Sequence, residues 1–239
     1  MCAMSPRLLR PRATGFNLRS LTGLFAWYDA STSSSITTQT GVSQWADLSG
    51  NARHLTQSTT NNQPAYGTFT LNGKPTITFD GTNDLLRSAA WTLNQPYHTF
   101  IIFRHETTFS SATYGIAHNI GTTRSGEFFY GAATTLTQFS GASLFRTGVA
   151  SGAREAFNPY EIESNGASSA VRFRTLSSTG NAGTNNSNGL TVGANGNTTP
   201  TQHGDMSVAE IAIFSRVLTG GDLTKVRNYL ANKWAVSYT

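Results

Sequence analysis

Short apolar runs alternate with polar residues along most of this chain, and clusters of Ser, Thr, Asn and Gly separate them. A side-chain period of two marks β-strands, because successive residues point to opposite faces of a sheet. The pattern predicts strands over Leu24–Tyr28, Val42–Trp45, Thr76–Phe79, Asp84–Arg87, Tyr97–Arg104, Thr113–His118, Glu127–Tyr130, Leu136–Phe139, Ser143–Arg146, Tyr160–Ser164, Ala170–Arg174, Leu190–Val192 and Met206–Phe214. Tyr97–Arg104 is the strongest, being mostly aromatic or β-branched. Asn165-Gly166, between two of these runs, predicts a type I′ hairpin, since both residues tolerate positive φ. Residues 177–200 read as loops on either side of one short strand.

Only near the C-terminus does the period become helical. Leu223, Val226, Leu230 and Trp234 share one face of a helix over residues 220–234. Thr219 is placed to cap its start, Asp222 stands three positions on, and Lys233 suits the dipole at its end. Many short strands with a single closing helix predict an all-β sandwich of jelly-roll type. Residues 1–20 show neither period, and Pro6 and Pro11 exclude a continuous helix. The expected organisation is an extended arm over 1–20 and one domain over 21–239.

Composition removes several function classes. A chain of 239 residues buries enough surface to fold without disulfides, and the lone Cys2 has no partner within the chain. The five histidines show no zinc-ligand spacing, so neither metal nor cofactor is expected. Only 12% of residues are charged, which leaves a polar but uncharged surface typical of extracellular or virion β-proteins. The net charge of +5 is local: Arg7, Arg10, Arg12 and Arg19 supply four of the charges, and no acid precedes Asp29. No apolar stretch is long enough for a transmembrane helix, and no Sec leader is expected at the N-terminus.

Three segments carry a resemblance. They are Gly23–Ala30, Val42–Asn51 and Asn72–Pro75 leading into Phe79–Asp84. With Ala209–Phe214, Arg216–Thr219 and Tyr229–Trp234 at the end, the chain resembles the LamG-like, concanavalin A-like jelly-roll family over about residues 21–235. The resemblance implies the fold and leaves function open, because the fold hosts lectins, glycanases, adhesion modules and virion proteins. Stand-alone domains of this kind with a short Arg/Pro arm are similar to structural proteins of tailed bacteriophages, including capsid decoration proteins and tail or fibre components.

Candidate chemistry is sparse. A glycanase needs two carboxylates roughly 5–9.5 Å apart across the scissile bond. Glu161 and Glu163, two apart on one strand, are the one convincing same-face pair. The simpler reading is a solvated strand face with Arg172 and Arg174 as cross-strand partners, and no catalysis is expected. Asp80, Asn83 and Asp84 offer oxygen ligands of the kind calcium takes, but they are also ordinary turn residues, and the turn reading is preferred. A sugar site would use an aromatic platform: Trp91, Tyr114 and Tyr130 are the candidates, with the Asn-rich loop 181–188 beside them.

The arm offers a different chemistry. Its arginines suit phosphates or carboxylates, yet four charges without Lys or interleaved aromatics fall short of a nucleic-acid binder. Arg7, Leu8, Leu9, Arg10, Arg12, Phe16 and Arg19 are therefore expected to dock on a protein partner. The leading expectation is a non-enzymatic decoration or cement protein on the outer surface of a phage particle, bound to the major capsid protein or another virion protein and forming a homo-oligomer. The alternative is a carbohydrate-binding adhesion module in a tail or fibre.

Overall fold

A computed structural model describes residues 15–105, 113–132, 135–146 and 155–238. Seventeen strands are present among them: β1 (Leu24–Asp29), β2 (Ile36–Thr38), β3 (Val42–Trp45), β4 (Leu55–Thr56), β5 (Ala65–Leu71), β6 (Lys74–Asp80), β7 (Leu86–Ser88), β8 (Tyr97–His105), β9 (Thr113–Ala117), β10 (Glu127–Ala132), β11 (Thr135–Phe139), β12 (Ser143–Arg146), β13 (Asn158–Ser164), β14 (Ser169–Phe173), β15 (Leu176–Gly180), β16 (Thr191–Val192) and β17 (Asp205–Phe214). The first sheet runs β15-β14-β13-β8-β17-β6-β5, with β1 also paired to β17. The second runs β12-β11-β10-β9-β16-β7-β4-β3-β2. One helix among the described residues, α1 (Gly220–Trp234), packs on the outside of the first sheet. The chain is an all-β sandwich with a C-terminal helix.

The strength of β8 in the sequence has a simple cause: both its faces are covered. Tyr97, Ile101 and Phe103 enter the core between the sheets, while Phe100 and Ile102 meet α1. Its neighbour β17 does the same with a twist. Met206 and Val208 face the inter-sheet core, a bulge follows Val208, and thereafter Ile211 and Ile213 face that core. The bulge inverts the parity and brings Glu210 onto the helix side, in register with Ile102 and with Asp29 of β1.

The strands that periodicity missed are informative. β5 and β15 are the two edges of the first sheet and β2 an edge of the second, and most of their residues keep solvent contact. With no face to hide, they carry no hydrophobic signature. β4 has only two residues.

Two local predictions need correction. Asn165 has φ −151° and only Gly166 is positive, at +55°, so a 3₁₀ turn over Gly166–Ser168 joins β13 to β14 instead of a type I′ turn. Thr219 makes no side-chain cap to α1; Asp222 instead pairs with Arg216 at 2.6 Å and Lys225 at 3.4 Å. The helix bounds stand as the pattern places them, and Val226, Leu230 and Trp234 are its buried face.

The domain also begins earlier than residue 21. Leu18, within a 3₁₀ turn over Leu18–Ser20, is fully buried with Leu21 against Phe100, Phe214 and α1. Phe16 meets Tyr229 of α1 edge-to-face at 5.9 Å, and Arg19 donates from Nε to the Leu48 carbonyl. Phe16 and Arg19 therefore serve this domain's own packing.

Candidate functional site

The register across the second sheet assembles a row, polar up to its last member, that no linear reading reveals. Thr37, Gln44, Thr56, Arg87, Thr191 and Ala117 are successive cross-strand partners through β2, β3, β4, β7, β16 and β9. Directly paired residues point to the same face. The adjoining residues Trp45, Leu55, Leu86, Val192 and Ile116 fill the core, so the row lies on the outer face, opposite the sheet that carries α1.

At its centre is a groove of about 470 Å³ bounded by Gln39, Ser43, Thr56, Gln57, Leu85 and Arg87. That volume falls in the range of roughly 300–1,000 Å³ found for small-ligand sites. Apart from Leu85, the groove's lining residues carry hydroxyl, amide or guanidinium groups. Several are fixed in place: Thr56 Oγ1 donates to the Arg87 carbonyl at 3.4 Å, and Gln57 Nε2 to the Leu85 carbonyl at 3.2 Å.

Arg87 is held from one side. Its Nε donates to Thr191 Oγ1 at 3.1 Å and its Nη2 to the Asn197 carbonyl at 2.7 Å. Thr191 in turn donates to the Asn119 carbonyl at 2.9 Å. The loop that supplies Asn197 is braced by Asn195, which bonds Thr201 and Gln202 through side chain and backbone. Gly196 allows its close seat, since a Cβ there would lie 2.3 Å from the Asn119 side chain.

The other expected sites serve internal purposes. Glu161 is almost fully buried under α1 and takes a two-pronged bond from Arg227, Nε and Nη2 each at 2.7 Å. Glu163 pairs with Arg172, and His98 Nε2 lies 3.6 Å from Glu161 and 3.9 Å from Glu163. The expected solvated face is thus corrected: both acids are buried, and the helix supplies the chief partner where Arg174 was expected. Burial alone would raise the Glu161 carboxyl, but the bonds from Arg227 and His98 outweigh it and hold it at about 2. A carboxylate so fixed cannot serve as a general acid near neutral pH.

Asp80 Oδ1 accepts from the backbone N–H groups of Thr82, Asn83 and Asp84, and Asp84 Oδ2 accepts from that of Asp80. These acids close their own turn. Burial, with the neighbouring Asp80 charge, pushes the Asp84 carboxyl up to about 6.

Trp91 is partly buried, edge-on to Phe25 at 5.5 Å, with Nε1 bonded to Ser187 Oγ at 2.8 Å. In the Asn-rich loop, Asn181, Asn186 and Asn188 accept from backbone N–H groups of Gly183, Gln95 and Ile120, and Asn185 donates to the Arg124 carbonyl. The side chains of Tyr114 and Tyr130, whose backbones run in β9 and β10, lie outside the described residues, as do Arg7, Leu8, Leu9, Arg10 and Arg12.

A buried node on the helix side was also missed. Glu210, fully buried, accepts from Trp27 Nε1 (2.7 Å), Tyr229 Oη (2.9 Å), Lys233 Nζ (2.8 Å) and Trp234 Nε1 (2.5 Å). Lys233 Nζ also reaches Asp29 at 2.6 Å. An acid inside the apolar run Val208–Phe214 is the signal that would have found it.

Neither a protein-family model nor a curated protein matches the chain. Solved structures are similar to it in fold. Trypanosoma rangeli sialidase in complex with sialic acid aligns over 90% of this chain with a TM-score of 0.63 and 10% identity, and the alignment covers 34% of the sialidase chain. The chain therefore spans about a third of that protein. Domain 4 of AbnA, a GH43 extracellular arabinanase from Geobacillus stearothermophilus, in complex with arabinotriose, aligns over 85% of this chain and 97% of its own, with a TM-score of 0.57 and 13% identity. The binding domain of botulinum neurotoxin serotype D/C VPI 5993 aligns over 90% and 53%, with a TM-score of 0.58 and 10% identity. At such identities the likeness concerns the fold.

Proposed function

We propose that this chain is a carbohydrate-binding module and that its ligand occupies the groove on the outer face of the second sheet. The observation that carries the reading is the groove itself: hydroxyl, amide and guanidinium groups from β3, β4, β7 and adjoining loops converge there, on the face that α1 leaves open. Sugars present dense hydroxyls, and a wall of fixed donors and acceptors matches them without reorganisation. The arabinotriose-bound domain of similar fold supports the reading, because it spans nearly the same length as this chain. The test is saturable binding of soluble polysaccharide by the protein and its block by Thr56→Trp. Thr56 is exposed, so a bulky ring there fills the groove without disturbing the core.

A place on a phage particle is a separate proposal that rests on the family resemblance and on Arg7, Arg10 and Arg12 of the arm. It predicts that removing residues 1–14 abolishes incorporation into particles. A cut at residue 20 would not test it, because Leu18 belongs to the domain's core. The described residues favour the sugar reading, since Phe16 and Arg19 already have partners within the chain.

A further inference from the structure

We infer that Arg87 makes this groove selective for an acidic glycan, whose carboxylate or sulfate would take the free end of the guanidinium while neighbouring sugar hydroxyls meet Ser43, Thr56 and Gln57. The inference rests on the carbohydrate reading of the same groove and adds the class of sugar. Three observations lead to it.

Charge comes first. Arg172, Arg216 and Arg227 each sit on a carboxylate. Arg87 does not: its polar side-chain contacts are one hydroxyl and one backbone carbonyl, both neutral. It lines the groove in a half-buried position with no counter-charge among the described residues within salt-bridge distance. A desolvated cation without an anion is costly, and a ligand anion would offset that cost. Burial accordingly lowers its pKa from the ordinary arginine value.

Geometry comes second. A guanidinium has five N–H donors in a planar fork. Nε and one Nη2 hydrogen are committed to Thr191 and Asn197, which leaves both Nη1 hydrogens and the second Nη2 hydrogen without an acceptor among the described residues. That free end carries two parallel donors, the arrangement that receives a carboxylate or sulfate through two bonds. Thr191 and the braced Asn197 loop prevent the fork from turning away.

Surroundings come third. Among the described residues no acid lines the groove: the remaining walls are Gln, Ser, Thr and Leu. Nothing there would repel an anion, and each polar wall group is suited to a sugar hydroxyl.

The experiment titrates the intact protein with polygalacturonate, with its carboxyl-reduced neutral counterpart, and with chondroitin sulfate, using wild type, Arg87→Gln and Arg87→Lys. An acidic polymer is expected to bind wild type at least about tenfold more tightly than the neutral one, and Arg87→Gln to erase that ratio. Arg87→Lys keeps the charge but not the fork and should retain only part of the ratio. Preference for polygalacturonate assigns the carboxylate; chondroitin sulfate carries both anions, so binding to it without polygalacturonate, lost on its desulfation, assigns the sulfate; each result supports the inference. The ratio guards against a folding defect, since a merely structural loss lowers acidic and neutral binding together. Equal binding of acidic and neutral polymers by wild type, or acidic binding unchanged in Arg87→Gln, overturns the inference and leaves the carbohydrate reading standing. Absence of binding by any glycan tested defeats the carbohydrate reading itself, and this inference with it.

Discussion

Acid should loosen the tie between α1 and the first sheet, and Glu161 is where it should act. The carboxyl is buried on β13, bonded twice by Arg227 of α1 and flanked by His98. Its folded-state pKa is about 2 against an ordinary 4.5. A depressed carboxyl pKa contributes stability that is fully present above the unfolded value and is lost as pH falls through the folded one. The window is therefore pH 4.5 down to about 2. At about 1.4 kcal/mol per pH unit, the shift amounts to about 3 kcal/mol near neutrality. For a chain of this size that corresponds to roughly 6–12 °C in unfolding midpoint. The assay is urea unfolding of wild type and Glu161→Gln at a series of pH values from 7 to 2.5. The difference between the two should be about 3 kcal/mol at pH 7 and should shrink steadily below pH 4.5, because protonated Glu161 resembles the amide. A difference that stays constant across the whole series would refute an ionic tie at this position.

Further outcomes follow from the same physical chemistry. Glu210→Leu takes the acceptor from Trp27, Tyr229 and Trp234 and leaves Lys233 with Asp29 as its one carboxylate among the described residues, and should cost about 3–5 kcal/mol by chemical denaturation; a loss under 1 kcal/mol would mean the node is not stabilising. Gly193→Ala places a Cβ 2.3 Å from the Phe79 ring at a φ of +89°, so this substitution should destabilise the fold by several kcal/mol, read from thermal melts. Removing residues 1–20 should lower the melting midpoint clearly below that of a chain lacking only residues 1–14, by taking Leu18 from its pocket; equal midpoints would contradict a core role for Leu18. Glu161→Gln and Glu163→Gln are not expected to change any activity on glycans; if either abolished hydrolysis of a glycan by the wild type, the structural role of the pair would be wrong.

The sandwich was legible wherever burial leaves a mark on sequence. β8, β17 and the buried face of α1 show in their apolar pattern because each must hide side chains. Edge strands β2, β5 and β15 left no such trace, since solvent contact imposes no hydrophobic pattern. The parity change along β17 was also invisible: a bulge is a property of pairing, not of local composition. The groove was unreadable for a related reason. Thr56 and Arg87 are unremarkable polar residues in separate strands that only the register of β4 and β7 places side by side, and Ser43 joins them at the irregularity in the pairing of β2 with β3. Conversely, the conspicuous motifs proved internal. Asn residues in loop 181–188 and the acids at Asp80 and Asp84 meet backbone groups that the long turns leave unpaired. Glu161 and Glu163 were visible as a pair, but the helix that covers them lies more than fifty residues further along the chain.

Binding in the groove is most directly measured by titrating isotope-labelled protein with soluble neutral and acidic oligosaccharides and following backbone amide resonances. Saturable shifts confined to Gln39, Ser43, Thr56, Gln57 and Arg87, and absent in Thr56→Trp, are the predicted result. Saturable shifts centred on Trp91 and the 181–188 loop, with the groove silent, would contradict it.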